Sequence, residues 1–518
     1  MPQTTRHVQP ALAPIPTAFR AWVLRGVHWA VPFLLRIRTR PWLPTGISQV
    51  EVMRPEILVE MFRQFQAGQA RFMLAFRHVE VDDPLCGLYM LSRLLPQAAR
   101  RDGIRLTLPL HTHFLYDRGM PLWGGASLGW LFSRIGGISF HRGKHPDWAA
   151  LKSARRLMVR GQFPLAVAPE GATNGHSERL SDFEPGVAQL GFWCAEDLEK
   201  EAIAPSAEYS GKSAQSIPGV WLVPVSLRYD YPNPSWEKLD RLMRQLETTS
   251  GLAPYAVARV AGTRPEDWYH QRLLRLGTHL LETMEQFYQQ FYHCSLGVSH
   301  PGGEAVPGQA GKPPSQATGK SKLTDLVSVL RTIEQQEAPP LTIDQRLQEL
   351  LTEALKVAES FFGVPSRGSL ADRCRRIEEA SWSYIYRADV TDRAALSPLQ
   401  RGLGDWVAEE ASLRSLHMRL VESLVSVSTD YVAEHPSFER LAETTLLLFD
   451  VMARVRGDRY LKRPRLGLRR ARFTVNAPIS VSDRLPHYQT NRRAAKEAIA
   501  HLTQTLREAL DPASPLNR

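Results

Sequence analysis

The chain has 518 residues, 43% of them hydrophobic and 23% charged, and a net charge of +11. That length exceeds one ordinary core and implies two or more lobes, while the composition excludes a disordered or fibrous chain. The four cysteines, Cys86, Cys194, Cys294 and Cys374, lie far apart with no C-x-x-C pair. This argues against a disulfide framework and a zinc site, and it fits a reducing cytosol. The positive balance draws the protein towards polyanions: anionic membrane, nucleic acid or an acidic carrier protein.

The N-terminus lacks the cationic start, apolar run and small-residue cleavage site of a signal peptide. Residues 18–42, "AFRAWVLRGVHWAVPFLLRIRTRPW", thread Arg20, Arg25, Arg36, Arg38 and Arg40 through Trp, Leu and Val. The longest uncharged part, Gly26 to Leu35, is interrupted by Pro32 and is about half of the ~20 residues that a spanning helix needs. Two readings stand equal: a helix lying at a bilayer interface with its arginines at the headgroups, or a core helix packed on the main domain.

From Arg71 to Tyr231 short apolar runs alternate with helical patterns. "RFMLAFRH", "IRLTLPLH", "QFPLAVAPEG" and "VWLVPVSLRYD" read as strands. Helical patterns follow in "PLCGLYMLSRLLPQAARRDG", "ASLGWLFSRIGG", "WAALKSARRLMVRG" and "GVAQLGFWCAEDLEKEA". This alternation predicts an α/β fold with a mainly parallel sheet flanked by helices.

From about Asn233 to Val455 apolar spacings of three and four predict helices only, for example over 264–292, 342–362, 369–387 and 437–455. The Gly-, Pro- and Ser-rich stretch 295–322 reads as a flexible loop. "RARFTVNAPISVSD" (470–483) returns to strand-like alternation, and an amphipathic helix follows from about Asn491 to Leu510. The expected organisation has four parts. They are an N-terminal helical, membrane-facing segment (1–69), the main α/β part (70–231), an all-helical insertion (232–469), and a strand and helix returning to the α/β domain (470–518).

The chemistry centres on "LAFRHVEVDDPLCGL", where His78 precedes Asp83 by five positions and Pro84 follows. Asp83-Pro84 is a ready helix start, with Asp as N-cap and Pro at the first helical position. The same turn can instead return the carboxylate to the imidazole. It would then fix the tautomer and leave the other ring nitrogen to take a proton from a hydroxyl. "LHTHFLYD" offers His111, His113 and Asp117 but no third metal ligand, so no metal site is expected. "SAEYSGKS" lacks the first glycine of a phosphate loop.

Three further blocks follow in order: "GGISFHRG" with Arg142, "VAPEGATNG" with Glu170 and Gly171, and "VWLVPVSL" with Val223, Pro224 and Val225. With His-x-x-x-x-Asp, the set resembles the glycerolipid acyltransferase family, which acylates glycerol-3-phosphate or 1-acylglycerol-3-phosphate. "FTVNAPISVSD" also looks like the family's closing Gly-Glu-Pro-Ile strand, with Asn476-Ala477 in place of Gly-Glu. The resemblance covers about residues 70–231 and extends to 470–510.

It implies that His78 is the general base on an acceptor hydroxyl and that Asp83 orients it. Acyl-CoA or acyl carrier protein would supply the thioester as co-substrate, with no cofactor. Arg142 would hold the acceptor phosphate, Glu170 and Gly171 would shape the acceptor pocket, and Val223, Pro224 and Val225 would support the acyl side. The implied partners are membrane lipid and acyl carrier protein, and the implied location is cytoplasmic and peripheral to a membrane.

The flanks depart from the family. Arg77 and Glu80 stand where it has Asn and Ser, and Ala172, Thr173 and Asn174 replace Thr-Arg-Ser after Gly171. The missing arginine would be a phosphate ligand, a role left to Arg142 or Arg179. The altered flanks also support an alternative, a non-catalytic lipid-binding or scaffold protein that keeps the fold. The basic stretch 454–472 suits anionic headgroups or an acidic carrier protein. Nucleic-acid binding is not expected, because no recognisable module accompanies it.

Overall fold

A computed structural model describes residues 7–141, 147–203, 217–260, 262–296, 341–458 and 462–512. Arg142, "SAEYSGKS", and the Gly/Pro/Ser-rich stretch from residue 297 on lie outside the described residues.

Ten strands occur among the described residues. They are β1 (Gln9–Pro10), β2 (Ile47–Met53), β3 (Ala70–Phe76), β4 (His113–Asp117), β5 (Gly137–Phe140), β6 (Leu165–Val167), β7 (Gly219–Asp230), β8 (Tyr386–Arg387), β9 (Arg469–Val475) and β10 (Ile479–Ser480). The main sheet runs β2-β9-β7-β3-β6-β4-β5, with β10 also on β7. Neighbours are parallel except where β9 and β10 run antiparallel to β7.

Side chains alternate across the pleat. Phe72 and Leu74 of β3 face a core shared with the helices Pro55–Gln66 and Leu95–Arg101. Met73 and Ala75 face the other core, with helices Trp148–Arg160, Gly186–Ile203 and Arg492–Leu510. Covering both faces is what a largely parallel sheet requires.

Pro224 lies in the middle of β7, level with Ala75 of β3. Its carbonyl accepts from Asn476 N at 2.9 Å, so its nitrogen also faces the β9–β10 side. There the partner strand is interrupted between Val475 and Ile479. A residue without an N–H is tolerated in a central strand because no ladder acceptor stands opposite it.

Two expectations are corrected. The first 69 residues are not wholly helical, since Ile47–Met53 forms edge strand β2, parallel to β9. A register shift between Ile47 and Gln49 breaks its alternation, which hid the strand from a period-two reading. "IRLTLPLH" is not a strand: Gln66 exchanges two hydrogen bonds with the Thr107 backbone, at 2.8 and 2.9 Å. The strand comes next, as β4, beginning at His113.

Residues 236–455 form a helical lobe around its own core. It includes Trp236–Ser250, Pro265–Tyr292, Ile343–Phe362, Leu370–Ile385, Pro398–Leu424 and Phe438–Val455. The lobe rests on loops leaving the carboxyl ends of the strands. Trp382 stacks on His141 after β5, with ring centroids 5.4 Å apart. Ser426 donates to the Asn174 carbonyl after β6 at 2.9 Å. Tyr231 N, after β7, donates to Glu439 at 3.1 Å. The N-terminus is tied to the same lobe, where β1 pairs with β8.

Candidate active site

β3 ends at Phe76, and Arg77 N still donates to the Val225 carbonyl at 3.0 Å. The chain then turns through Val79–Asp82 into the helix Asp83–Tyr89. Asp83 is not the N-cap: it sits in the first turn, and the preceding Asp82 makes no capping bond with its side chain.

The Asp83 carboxylate, fully buried, is instead claimed by three donors. His78 Nδ1 donates to Oδ2 at 3.0 Å, Glu80 N donates to the same oxygen at 3.0 Å, and Tyr229 Oη donates to Oδ1 at 2.6 Å. The His78 side chain is 25% exposed. A carboxylate acceptor at Nδ1 places the proton there and leaves the Nε2 lone pair free. Nε2 has no protein partner among the described residues. Chemically, such a pair can serve as a base oriented by a carboxylate.

Tyr229 is the functional residue that sequence reasoning missed. Burial first, then the neighbouring Asp83 charge, hold its phenol far above the ordinary tyrosine range, so it remains a donor. β7 outruns β3 by several residues, and this overhang puts Tyr229 beside the turn. The Arg469 guanidinium lies over its ring at 4.8 Å.

Two arginines, Arg469 buried and Arg463 partly buried, anchor the turn. Arg469 pairs with Asp82, whose carboxylate also accepts from Thr45 N at 3.0 and 3.1 Å. Arg463 bridges Glu80 at 2.8 Å and Asp450 of the helical lobe at 2.6 Å. Burial opposes the charge of each arginine. Their carboxylates more than offset it and hold both pKa values above the ordinary arginine value. Burial raises Glu80, partly countered by Arg463.

Four arginines of the basic stretch are therefore committed to carboxylates of the protein itself. Arg463 and Arg469 are internal, and Arg470 and Arg472 pair with Asp230 and Glu51. Three acids in "EVDDP" needing internal counter-charges were the signal available in the sequence.

The Pro-Glu-Gly loop follows β6, the strand next to β3. Gly171 turns there with φ +74°, a conformation costly for any side chain. Glu170 is fully buried: Oε1 accepts from Arg77 Nε at 3.4 Å, and Oε2 from Asn174 at 3.1 Å and Ser181 N at 2.9 Å. Arg77 also donates to the carbonyls of His176, Ser177 and Arg179. Glu170 therefore braces the loop from inside, and direct contact with an acceptor is not available to it. Arg77 and Asn174, two of the altered flanking residues, make this brace.

Arg179 is exposed, donates to Ser428 Oγ at 2.6 Å, and has no carboxylate partner among the described residues. Val223, Pro224 and Val225 are buried in the sheet and support the site only through packing.

The His111 and His113 side chains donate to backbone carbonyls: Nε2 of His111 to Ile135 at 2.7 Å and Nδ1 of His113 to Gly136 at 3.1 Å. A histidine facing a carbonyl must be the donor. Burial lowers both, His111 to about 3. No group of three ligands able to hold a metal occurs among the described residues.

The helix Ala21–Leu34 packs on the main domain, as the second of its two readings expected. Val23, Leu24, His28 and Val31 pack inward. On the opposite stripe Trp22, Trp29 and Phe33, continued by Ile37, are 68%, 69%, 60% and 53% exposed. Among the described residues no helix is long and apolar enough to cross a membrane.

Comparison with protein-family models, curated proteins and solved structures returns no significant match.

Proposed function

We propose that the protein is an O-acyltransferase that moves a fatty acyl group from an acyl thioester to a hydroxyl of a glycerolipid acceptor such as 1-acylglycerol-3-phosphate. The observation that carries the reading is the 3.0 Å His78–Asp83 contact, with Asp83 buried and His78 open. In this mechanism Nε2 removes the acceptor hydroxyl proton as the oxygen attacks the thioester carbonyl. The tetrahedral intermediate collapses by breaking the C–S bond, and the imidazolium returns its proton to the departing thiolate. Asp83 stays ionised and stabilises the imidazolium. Arg179, exposed and without a carboxylate partner among the described residues, is the cation assigned to an acceptor phosphate in this reading.

The exposed stripe Trp22, Trp29, Phe33 and Ile37, with Arg25 and Arg36 exposed beside it, would lie in an anionic membrane interface and bring the lipid acceptor to the enzyme.

One observation favours the alternative, a non-catalytic lipid-binding protein of the same architecture. The Arg77–Glu170 pair closes the loop that the resemblance assigns to the acceptor. The deciding experiment supplies labelled acyl-CoA or acyl carrier protein to the full chain on anionic vesicles containing 1-acylglycerol-3-phosphate or other lysophospholipids. Acylated product is expected. Vesicle binding with no product from any acceptor would favour the non-catalytic reading.

A further inference from the structure

Arg463, Arg469, Arg470 and Arg472 each meet a carboxylate of the protein. Two arginines beside them do not. Arg38 and Arg465 are half-buried, and their hydrogen bonds among the described residues go to neutral oxygens. Arg38 Nη2 donates to the Arg463 carbonyl at 2.6 Å. Arg465 Nε donates to the Pro44 carbonyl and Nη2 to Thr45 Oγ1, both at 2.9 Å. Arg38 Nε and Nη1 and Arg465 Nη1 have no partner among the described residues.

The two guanidiniums share one loop, Ile37–Gly46. Thr45 Oγ1, which accepts from Arg465, itself donates to the Ile37 carbonyl at 2.5 Å, next to Arg38. The loop is pinned where it meets the protein. Thr45 stands at φ +46°, a conformation rare for a β-branched residue, and its N–H is held by Asp82 at 3.0 and 3.1 Å.

Such an arrangement is costly as it stands. A cation drawn out of water needs a counter-charge, and a like charge beside it adds to the cost. Burial first, then Arg465, hold Arg38 below the ordinary arginine value, with Asp82 opposing them. An anion between the two forks would relieve both costs. Arg36, Arg40 and Lys462, exposed around them, also lack a carboxylate partner among the described residues.

We propose that Arg38 and Arg465 form a binding site for the phosphomonoester headgroup of an anionic lipid. Guanidinium forks match phosphate oxygens in pairs, which an ammonium does not. The apolar neighbours select a lipid over a soluble phosphate: Ile37, next to Arg38, and Phe33, one turn earlier, are 53% and 60% exposed. A headgroup held here leaves its acyl chains beside that stripe. The site is separate from the acceptor phosphate assigned to Arg179. It rests on the membrane reading of the stripe and not on acyl transfer.

The test sediments the full chain with phosphatidylcholine vesicles carrying either phosphatidic acid or phosphatidylserine, matched in surface charge. Phosphatidic acid has a phosphomonoester but no free hydroxyl to acylate. Wild type should prefer it at least about fivefold. Arg38→Gln and Arg465→Gln should each reduce the preference, and the double variant should abolish it. Arg38→Lys keeps the charge without the fork; it should hold phosphatidylserine binding and lose most of the preference. Arg25→Gln should weaken binding to both vesicles equally and leave the ratio intact.

No preference in the wild type, a result that needs no variant to fold, overturns the site. So does a preference that survives in the double variant. Calorimetry with inorganic phosphate separates the sources. If the wild type binds neither vesicle yet binds phosphate through both arginines, the ligand is soluble, and the lipid assignment falls together with the membrane reading. An arginine-dependent preference with no acyl transfer upholds the site and sinks only the transfer reading.

Discussion

Removing the Tyr229 hydroxyl tests the dyad without touching either member. The phenol donates at 2.6 Å to a carboxylate with no solvent exposure, so no water is on hand to replace it. A hydrogen bond to a buried charged group contributes about 1.5–3 kcal/mol. Tyr229→Phe keeps the ring, and with it the contact under Arg469 at 4.8 Å, so the loss should fall on Asp83 and, weakly, on the Cys86 thiol 3.7 Å from the hydroxyl. Part of it should appear as lowered stability in a urea titration. The rest should appear as a roughly tenfold fall in kcat with KM unchanged, because Tyr229 lies behind Asp83 and away from any acceptor. The low-field Nδ1–H proton resonance of His78 should weaken or broaden as the carboxylate gains freedom. Wild-type kcat together with an unaltered resonance would refute the role given to Tyr229.

Other consequences are open to measurement. Glu170→Gln leaves the Arg77 guanidinium buried without its counter-charge and should cost about 3–5 kcal/mol in denaturant unfolding; a change below ~1 kcal/mol would show that the pair is not a brace. Burial lowers His28 to about 4, His111 to about 3 and His417 to about 4. For such groups the unfolded chain takes up protons first as pH falls below ~6.5, so stability is present above that value and lost on acidification. Each should contribute a loss of about 2 kcal/mol between pH 6.5 and 5, and equal urea midpoints at pH 7 and 5 would contradict this. Changing Trp29 and Phe33 to Ser should reduce sedimentation with anionic vesicles by several-fold at unchanged thermal stability; undiminished sedimentation would remove that face from the membrane reading.

Much of the α/β frame was legible because it rests on local patterns. β3, β6 and β7 are buried apolar runs, and the long helices of the lobe follow three-and-four spacing with clear caps, such as Thr342 and Ser369 in capping boxes. What stayed hidden was set by partners distant in sequence. β2 is a strand because β9, more than 400 residues later, offers it an edge. At the site the five-residue spacing of His78 and Asp83 was visible. The third donor was not, because Tyr229 reaches Asp83 only through β7 running past the end of β3. The same limit applies to the arginines. A run of cations reads as surface until the fold shows Arg463 and Arg469 facing Glu80, Asp450 and Asp82 in the interior. Glu170 was placed on the right loop, but its direction, inward to Arg77, depends on packing that the sequence does not display.

The most direct trial of the central claim compares His78→Ala and Asp83→Asn with wild type in single-turnover thiol release from acyl-CoA in the presence of 1-acylglycerol-3-phosphate. The general-base account expects release to fall by about 10²–10⁴-fold in both variants while thioester binding persists. Release at the wild-type rate from either variant would contradict it.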